Sequence, residues 1–247
     1  MPFDREIYFD AVRETLFGGK LSQQQVDGQN HILYEWERKV LTKDLRWLAY
    51  PLATTIHETA STMWPISEYG KGKGMAYGKP DPVTGETYYG RGFVQLTWSD
   101  NYLKATEKLG LVGNDDLYWH ADRALDSHIA ADIMFLGMRD GWFRSSNGTP
   151  NTLAKYFDDN TNDAYMAREI INGDKTKVPS WSGGVSIGKL IAGYHDKFLD
   201  ALDASFVERE PIRPEPPDLI EEPEEREVFI TIRAPAGVKV TVLQEEC

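Results

Sequence analysis

Residues 54–102 open as Thr54-Thr55-Ile56-His57-Glu58-Thr59-Ala60, pass through a glycine-rich segment containing Glu68, and close as Tyr88-Tyr89-Gly90-Arg91-Gly92-Phe93-Val94-Gln95-Leu96-Thr97-Trp98-Ser99-Asp100-Asn101-Tyr102. The apolar residues Leu45, Leu48, Leu52 and Ile56 recur every three or four positions, the period of a helix with one buried face. Such a helix carries Glu58 to its C-terminal end, against packed apolar surface and partly stripped of water, a setting that suits a general acid. Glu68 follows Pro65 and precedes Tyr69-Gly70, where the chain reads as a wetter loop that suits a base. Two carboxylates in contrasting environments are what glycosidic cleavage needs: one protonates the leaving oxygen, the other handles the water or the sugar cation. Spacing alone does not establish this, because two Glu residues ten apart in an acidic chain are more often two solvated side chains.

The longer motif changes the odds. Tyr88 to Trp98, with Asn101-Tyr102 after it and His57-Glu58-Thr59 before it, resembles glycoside hydrolase family 19. That family comprises lysozyme-like chitinases and related phage and bacterial endolysins that cleave peptidoglycan. Arg168-Glu169-Ile170-Ile171-Asn172-Gly173 resembles the family's Ile-Ile-Asn-Gly segment, so the likeness spans much of residues 1–200. It implies a mainly α-helical, lysozyme-like two-lobed domain with a small β-hairpin wing at the cleft. It further implies that Glu58 is the catalytic acid and Glu68 the base, with Gln95, Thr97, Asn101 and Asn172 lining the cleft or holding the water. The segment between the acids varies in length across the family, so Glu86 is the competing base. Family members invert the anomeric centre, with carboxyl groups about 6.5–9.5 Å apart. Thr97 fits, since a hydroxyl both accepts from and donates to water. The implied reaction needs no cofactor, and its substrate is peptidoglycan first or chitin second.

Other residues near the motif admit two readings. His57 either orients the acid or a substrate, or is a hydrogen-bonded packing residue, the commoner case beside an apolar face. Tyr88, Tyr89 and Trp98 either stack on sugar rings or belong to the core. Arg91 either binds a substrate acetamido or carboxylate group or forms an internal salt bridge. Met75–Gly78 and Glu86–Tyr89 read as paired strands of the wing, and Gly70–Gly74 as a cleft rim, since no strand precedes it to make a phosphate loop.

The 247 residues, 41% hydrophobic and 12% aromatic, suffice for one substantial core with a small appendage. No stretch approaches the roughly 20 apolar residues of a membrane span, and no basic and apolar leader opens the chain, so cytoplasmic accumulation before action on the wall is expected. The single cysteine, Cys247, excludes an internal disulfide framework, unlike secreted plant chitinases. The formal charge of −12 argues against nucleic acid as a partner. No His, Asp or Glu cluster shows metal-ligand spacing, so no metal is expected.

In chain order, Phe3–Leu16 reads as an amphipathic helix, and Ser22 with Gln25 as the capping box of a second. Lys43–Met63 is a third, with Pro51 expected to kink or restart it. Asp126–Phe143 reads as a central buried helix, Thr149-Pro150 as the cap and first turn of another, and Ile187–Phe206 as the last. The catalytic domain is placed at residues 1–206, an acidic Pro/Glu-rich linker at 207–227, and a β-hairpin tail at 228–247.

Overall fold

The computed structural model describes residues 3–39, 41–207, 236–239 and 241. The chain divides into two units, Met1–Arg209 and Glu210–Cys247. The linker and the hairpin tail lie almost wholly outside the described residues; Ala236 and Gly237 form a turn.

The first unit is mainly α-helical. Helix α1, Arg5–Leu16, is capped by Asp4, whose carboxylate accepts from the Glu6 and Ile7 amides. Helix α2, Gln23–Lys39, opens with the reciprocal box read from sequence: Ser22 Oγ accepts from the Gln25 amide at 3.2 Å, and Gln25 Oε1 from the Ser22 amide at 2.9 Å. Helix α3, Arg46–Glu58, contains Pro51 and runs through it without restarting. Every residue from Leu48 to Ile56 is buried, so surrounding packing holds the helix across the missing hydrogen bond.

Two short strands follow. Strand β1, Ile66–Ser67, pairs antiparallel with β2, Arg91–Gly92, with Ile66 opposite Gly92. The wing expected between Met75–Gly78 and Glu86–Tyr89 is therefore built elsewhere. Ala76–Gly78 is a 3-10 turn, and the two segments share a bond from the Tyr88 amide to the Tyr77 carbonyl. The intervening Asp81 instead folds that loop on itself, accepting from the Val83 and Thr84 amides.

Helix α4, Ser99–Leu109, ends at Gly110, and α5, Ser127–Asp140, starts on the Asp126 side chain. Helix α5 is the central element: Ile129, Ile133, Met134, Phe135 and Met138 are buried, and it packs against α2, α3 and α4. Thr149-Pro150 does not open a helix. It forms strand β4, paired with β3, Ser145–Ser146, and Thr152 caps the single-turn helix α6, Leu153–Tyr156. Helix α7, Ile187–Ser205, closes the unit against α3 and α1. Its end meets the chain's start, where the Asp4 amide donates to the Ser205 carbonyl at 2.7 Å.

Candidate active site

Glu58 is the last residue of α3, just past its buried stretch, and its side chain is 16% exposed. One carboxylate oxygen accepts from Arg168 at 2.6 Å. Arg168, 2% exposed, sits in the 3-10 turn Met166–Ile170 and is gripped on its other side by Asp174, with Nε to Oδ1 at 2.7 Å. Burial works against the charge on Arg168, but Glu58 and Asp174 together outweigh it and hold the guanidinium's pKa above its ordinary value. Burial likewise pushes Asp174 up, and the hydrogen bonds and charge of Arg168 reverse this and hold its carboxyl below the usual aspartate value. Asp174 therefore stays ionised. Arg168 is thus shared between two carboxylates, of which Glu58 is the one that lines the pocket.

The opposite wall is the loop after β2. Arg91 and Leu96 exchange backbone hydrogen bonds at 3.1 and 2.8 Å, which forces the chain between them into a tight reversal. Gln95 adopts φ 53° and Trp98 φ 77°, the left-handed region that non-glycine residues rarely enter. Such backbone strain gathers where side chains must be aimed. Gln95 Nε2 donates to the Ile66 and Gly92 carbonyls at 3.0 and 3.2 Å, fastening the loop to β1 and leaving Oε1 as an acceptor. Thr97 Oγ1 donates to the Gln95 carbonyl at 2.8 Å, and Asn101 Nδ2 to the Thr97 carbonyl at 2.7 Å. Gly90 is required beside them, since an added Cβ would stand 2.7 Å from Gln95 Oε1.

These parts surround a pocket of about 400 Å³. Of the residues proposed from sequence, it is lined by Glu58, Gln95, Thr97, Trp98, Asn101 and Asn172. Trp98 is half exposed and meets Tyr77 edge-on, ring centroids 5.0 Å apart. Glu68 follows β1 directly and does not line the pocket; it is joined to it through Tyr77, which does. One Glu68 oxygen accepts from the Tyr77 hydroxyl at 3.3 Å, the other from the Gly90 amide at 3.2 Å. Burial and the neighbouring Glu68 push the Tyr77 phenol up, so it remains a donor at neutral pH. Glu86 lines a separate hollow with His120, Asp122 and Arg123.

Four proposed binding residues stand outside the pocket lining. Tyr88 is 3% exposed, donates to the Tyr118 carbonyl at 2.6 Å and stacks on that ring. Tyr89 is 7% exposed, with the Arg91 guanidinium 3.7 Å above its ring centroid. Arg91 is 2% exposed, and its donors reach Asp122, the Thr87 and Tyr89 carbonyls and the Tyr102 hydroxyl. These three therefore hold the loop rather than face a substrate: cation, carbonyls and rings satisfy one another in the interior. His57, next to Glu58, points toward Trp181, with ring centroids 6.4 Å apart, and burial holds its pKa below the usual histidine value.

Sequence reading missed Tyr77, Phe143, Arg144 and Ile171 in the pocket and the pair Arg168–Asp174 beneath it. Arg168 lies in the segment quoted for its Asn-Gly, yet its partner Glu58 is 110 positions away and no local spacing announces it. The expectation that no metal-ligand spacing exists also needs correction, because His31 and Glu35 are four apart on α2 and meet His128.

No protein-family model and no curated protein matches the chain. Among solved structures it is similar to a bacterial family 19 chitinase, at 19% identity over 81% of this chain and 94% of that one, TM-score 0.43. It is also similar to chitinase C from Streptomyces griseus HUT6037, at 19% over 82% and 91%, TM-score 0.46. A class IV family 19 chitinase from Zea mays is 18% identical over 83% and 96%, TM-score 0.48. The chemistry of this chain has to be argued from its own side chains.

Proposed function

We propose that this chain is a glycoside hydrolase that cuts β-1,4 bonds of an N-acetylated amino-sugar polymer, with peptidoglycan glycan strands as its substrate. The observation that carries this reading is the pocket itself. A carboxylate paired with a buried arginine shares the pocket with a strained loop of amide and hydroxyl groups, and a second carboxylate, Glu68, accepts from the Tyr77 hydroxyl of its lining. Glu58 gives its proton to the glycosidic oxygen as the bond breaks, and Arg168 then stabilises the carboxylate left behind. Glu68, held as an acceptor by Tyr77 and Gly90, takes the proton of the attacking water. Thr97 has a lone pair free for that water once its own hydrogen has gone to the Gln95 carbonyl. Asn101, Asn172 and Gln95 Oε1 suit the acetamido and hydroxyl groups of a sugar, and Trp98 offers a ring face.

Arg144 favours peptidoglycan over chitin. It lines the pocket, and among the described residues its buried Nε has no partner and its one carboxylate, Glu169, stands at 3.4 Å and also holds Lys175. Chitin is uncharged, whereas the lactyl-peptide branches of peptidoglycan bring carboxylates that such a cation attracts. Mass spectrometry of products from purified peptidoglycan and from chitin oligomers, with the unmodified chain and Glu58→Gln, tests both levels. Reducing-end muropeptides that vanish in a folded Glu58→Gln variant support the reading. Anhydro products would replace the hydrolase by a lytic transglycosylase, chitin products alone would move the substrate, and no product from either would leave a wall-binding protein.

A further inference from the structure

The geometry points to a second site, built to bind one divalent transition-metal ion of the zinc kind between His31, Glu35 and His128. His31 and Glu35 are one helical turn apart on α2 and so share a face. His128 is the second residue of α5, whose start is fixed by Asp126 accepting from the His128 and Ile129 amides. Packing of α5 against α2 brings one ligand atom from each of the three to within 4.8 Å of the others. The two imidazole rings stand edge to face, centroids 4.7 Å apart.

Two features mark this as more than a surface cluster. Glu35 is completely buried in mid-helix, where an isolated carboxylate is expensive. Its Oε2 is held by Arg38 at 2.8 Å and Lys39 at 3.3 Å, while among the described residues Oε1 meets only the His128 ring, at 2.7 Å. His31 Nε2 is also buried and has no hydrogen-bond partner, the kind of orphaned atom that a bound ion would satisfy. Two imidazoles and one carboxylate suit zinc or a neighbour in its row, whereas magnesium and calcium want oxygen alone. At bond lengths of about 2.0–2.1 Å, tetrahedral ligand atoms stand about 3.3 Å apart. The His128–Glu35 contact then opens by about half an ångström, which the 63% exposed His128 side chain can follow. A fourth position is left for water.

Arg38 and Lys39 weaken the attraction for a dication, and Asp132, on Lys39, and Asp126, at the head of α5, offset them. Affinity should therefore be micromolar. None of the three ligands lines the Glu58 pocket, so the ion clasps α2 to α5 and takes no step in the reaction.

The test is thermal unfolding of the full chain, stripped with EDTA and then given zinc or, separately, millimolar magnesium. A hundredfold excess of zinc over Kd should raise Tm by about 5–10 °C, with one ion bound per chain by calorimetry. Magnesium should leave Tm unchanged. His128→Ala should lower the stripped Tm by a few degrees, because it removes the partner of the buried Glu35 Oε1, and should lose the zinc shift. Cobalt in the unmodified chain should give the strong visible bands of a four-coordinate site, a readout that needs no variant. An absent zinc shift, an equal shift in His128→Ala, an equal effect of magnesium or weak octahedral cobalt bands would each overturn the site. Other donors such as His57, His120 or Cys247 would show themselves as binding that survives His128→Ala.

Discussion

Arg168 ties Glu58, which lines the pocket, to a second carboxylate, Asp174, outside the lining. Arg168 bonds Glu58 at 2.6 Å and Asp174 at 2.7 Å, so the guanidinium is divided between them. Replacing Asp174 by Asn keeps the shape and removes one negative charge. The guanidinium is then no longer divided and closes on Glu58, the group proposed to donate the proton. Asp174→Asn should lower kcat roughly tenfold at neutral pH with little change in KM. A variant with unchanged kcat would show that the charge of Asp174 plays no part in turnover. The substitution should also cost about 1–3 kcal/mol of stability, because it weakens a charged hydrogen bond to a buried arginine.

The elements explain what sequence reading could reach. Helix α3 was legible because Leu45, Leu48, Leu52 and Ile56 keep helical spacing, and the α2 cap because Ser22 and Gln25 lie within one turn. The wing was misplaced because strands of two residues have no period to read, and the pairing of Ile66 with Gly92 is set by the Gln95 side chain reaching across from the next loop. The fates of Tyr88, Tyr89 and Arg91 were equally hidden, since an aromatic or a cation looks the same in sequence whether it faces a sugar or a carbonyl. Gly28 tests the packing that positions these parts. It lies inside α2, where alanine would ordinarily stabilise the helix by about 1 kcal/mol. Here an added Cβ would stand 1.8 Å from the Met63 carbonyl oxygen, on the segment leading into β1 and Glu68. Gly28→Ala should therefore cost about 3 kcal/mol and lower Tm by about 6–12 °C, as seen by calorimetry, with reduced turnover. A raised Tm would mean that α2 and this segment do not touch.

Across the whole unit, acid should act on stability before it acts on any exposed carboxylate. His195 lies on α7 in the core, 1% exposed and stacked on Phe157 at 5.1 Å, and its Nε2 is buried without a partner. Burial holds its pKa below the ordinary histidine value of 6.5, against the pull of Asp196 at 3.1 Å; Arg46 works in the same direction as burial and Asp44 against it. Above pH 6.5 His195 is neutral folded or unfolded and contributes nothing. As pH falls below 6.5 the unfolded chain takes up the proton that the folded chain refuses, so stability is lost. His57, depressed for the same reason, adds to that slope. Asp174 contributes later and differently: its pKa is held below the ordinary aspartate value of 3.8, so its stabilisation is complete above that pH and lost as pH falls toward its folded value. Denaturant unfolding of the full chain in EDTA should thus show stability declining from pH 7 to 5, with His195 contributing to the decline. His195→Gln, whatever it costs at pH 7.5, should flatten that slope. An unchanged slope would place the acid sensitivity elsewhere and mean that the pocket between α3, α7 and Phe157 admits a charged imidazole.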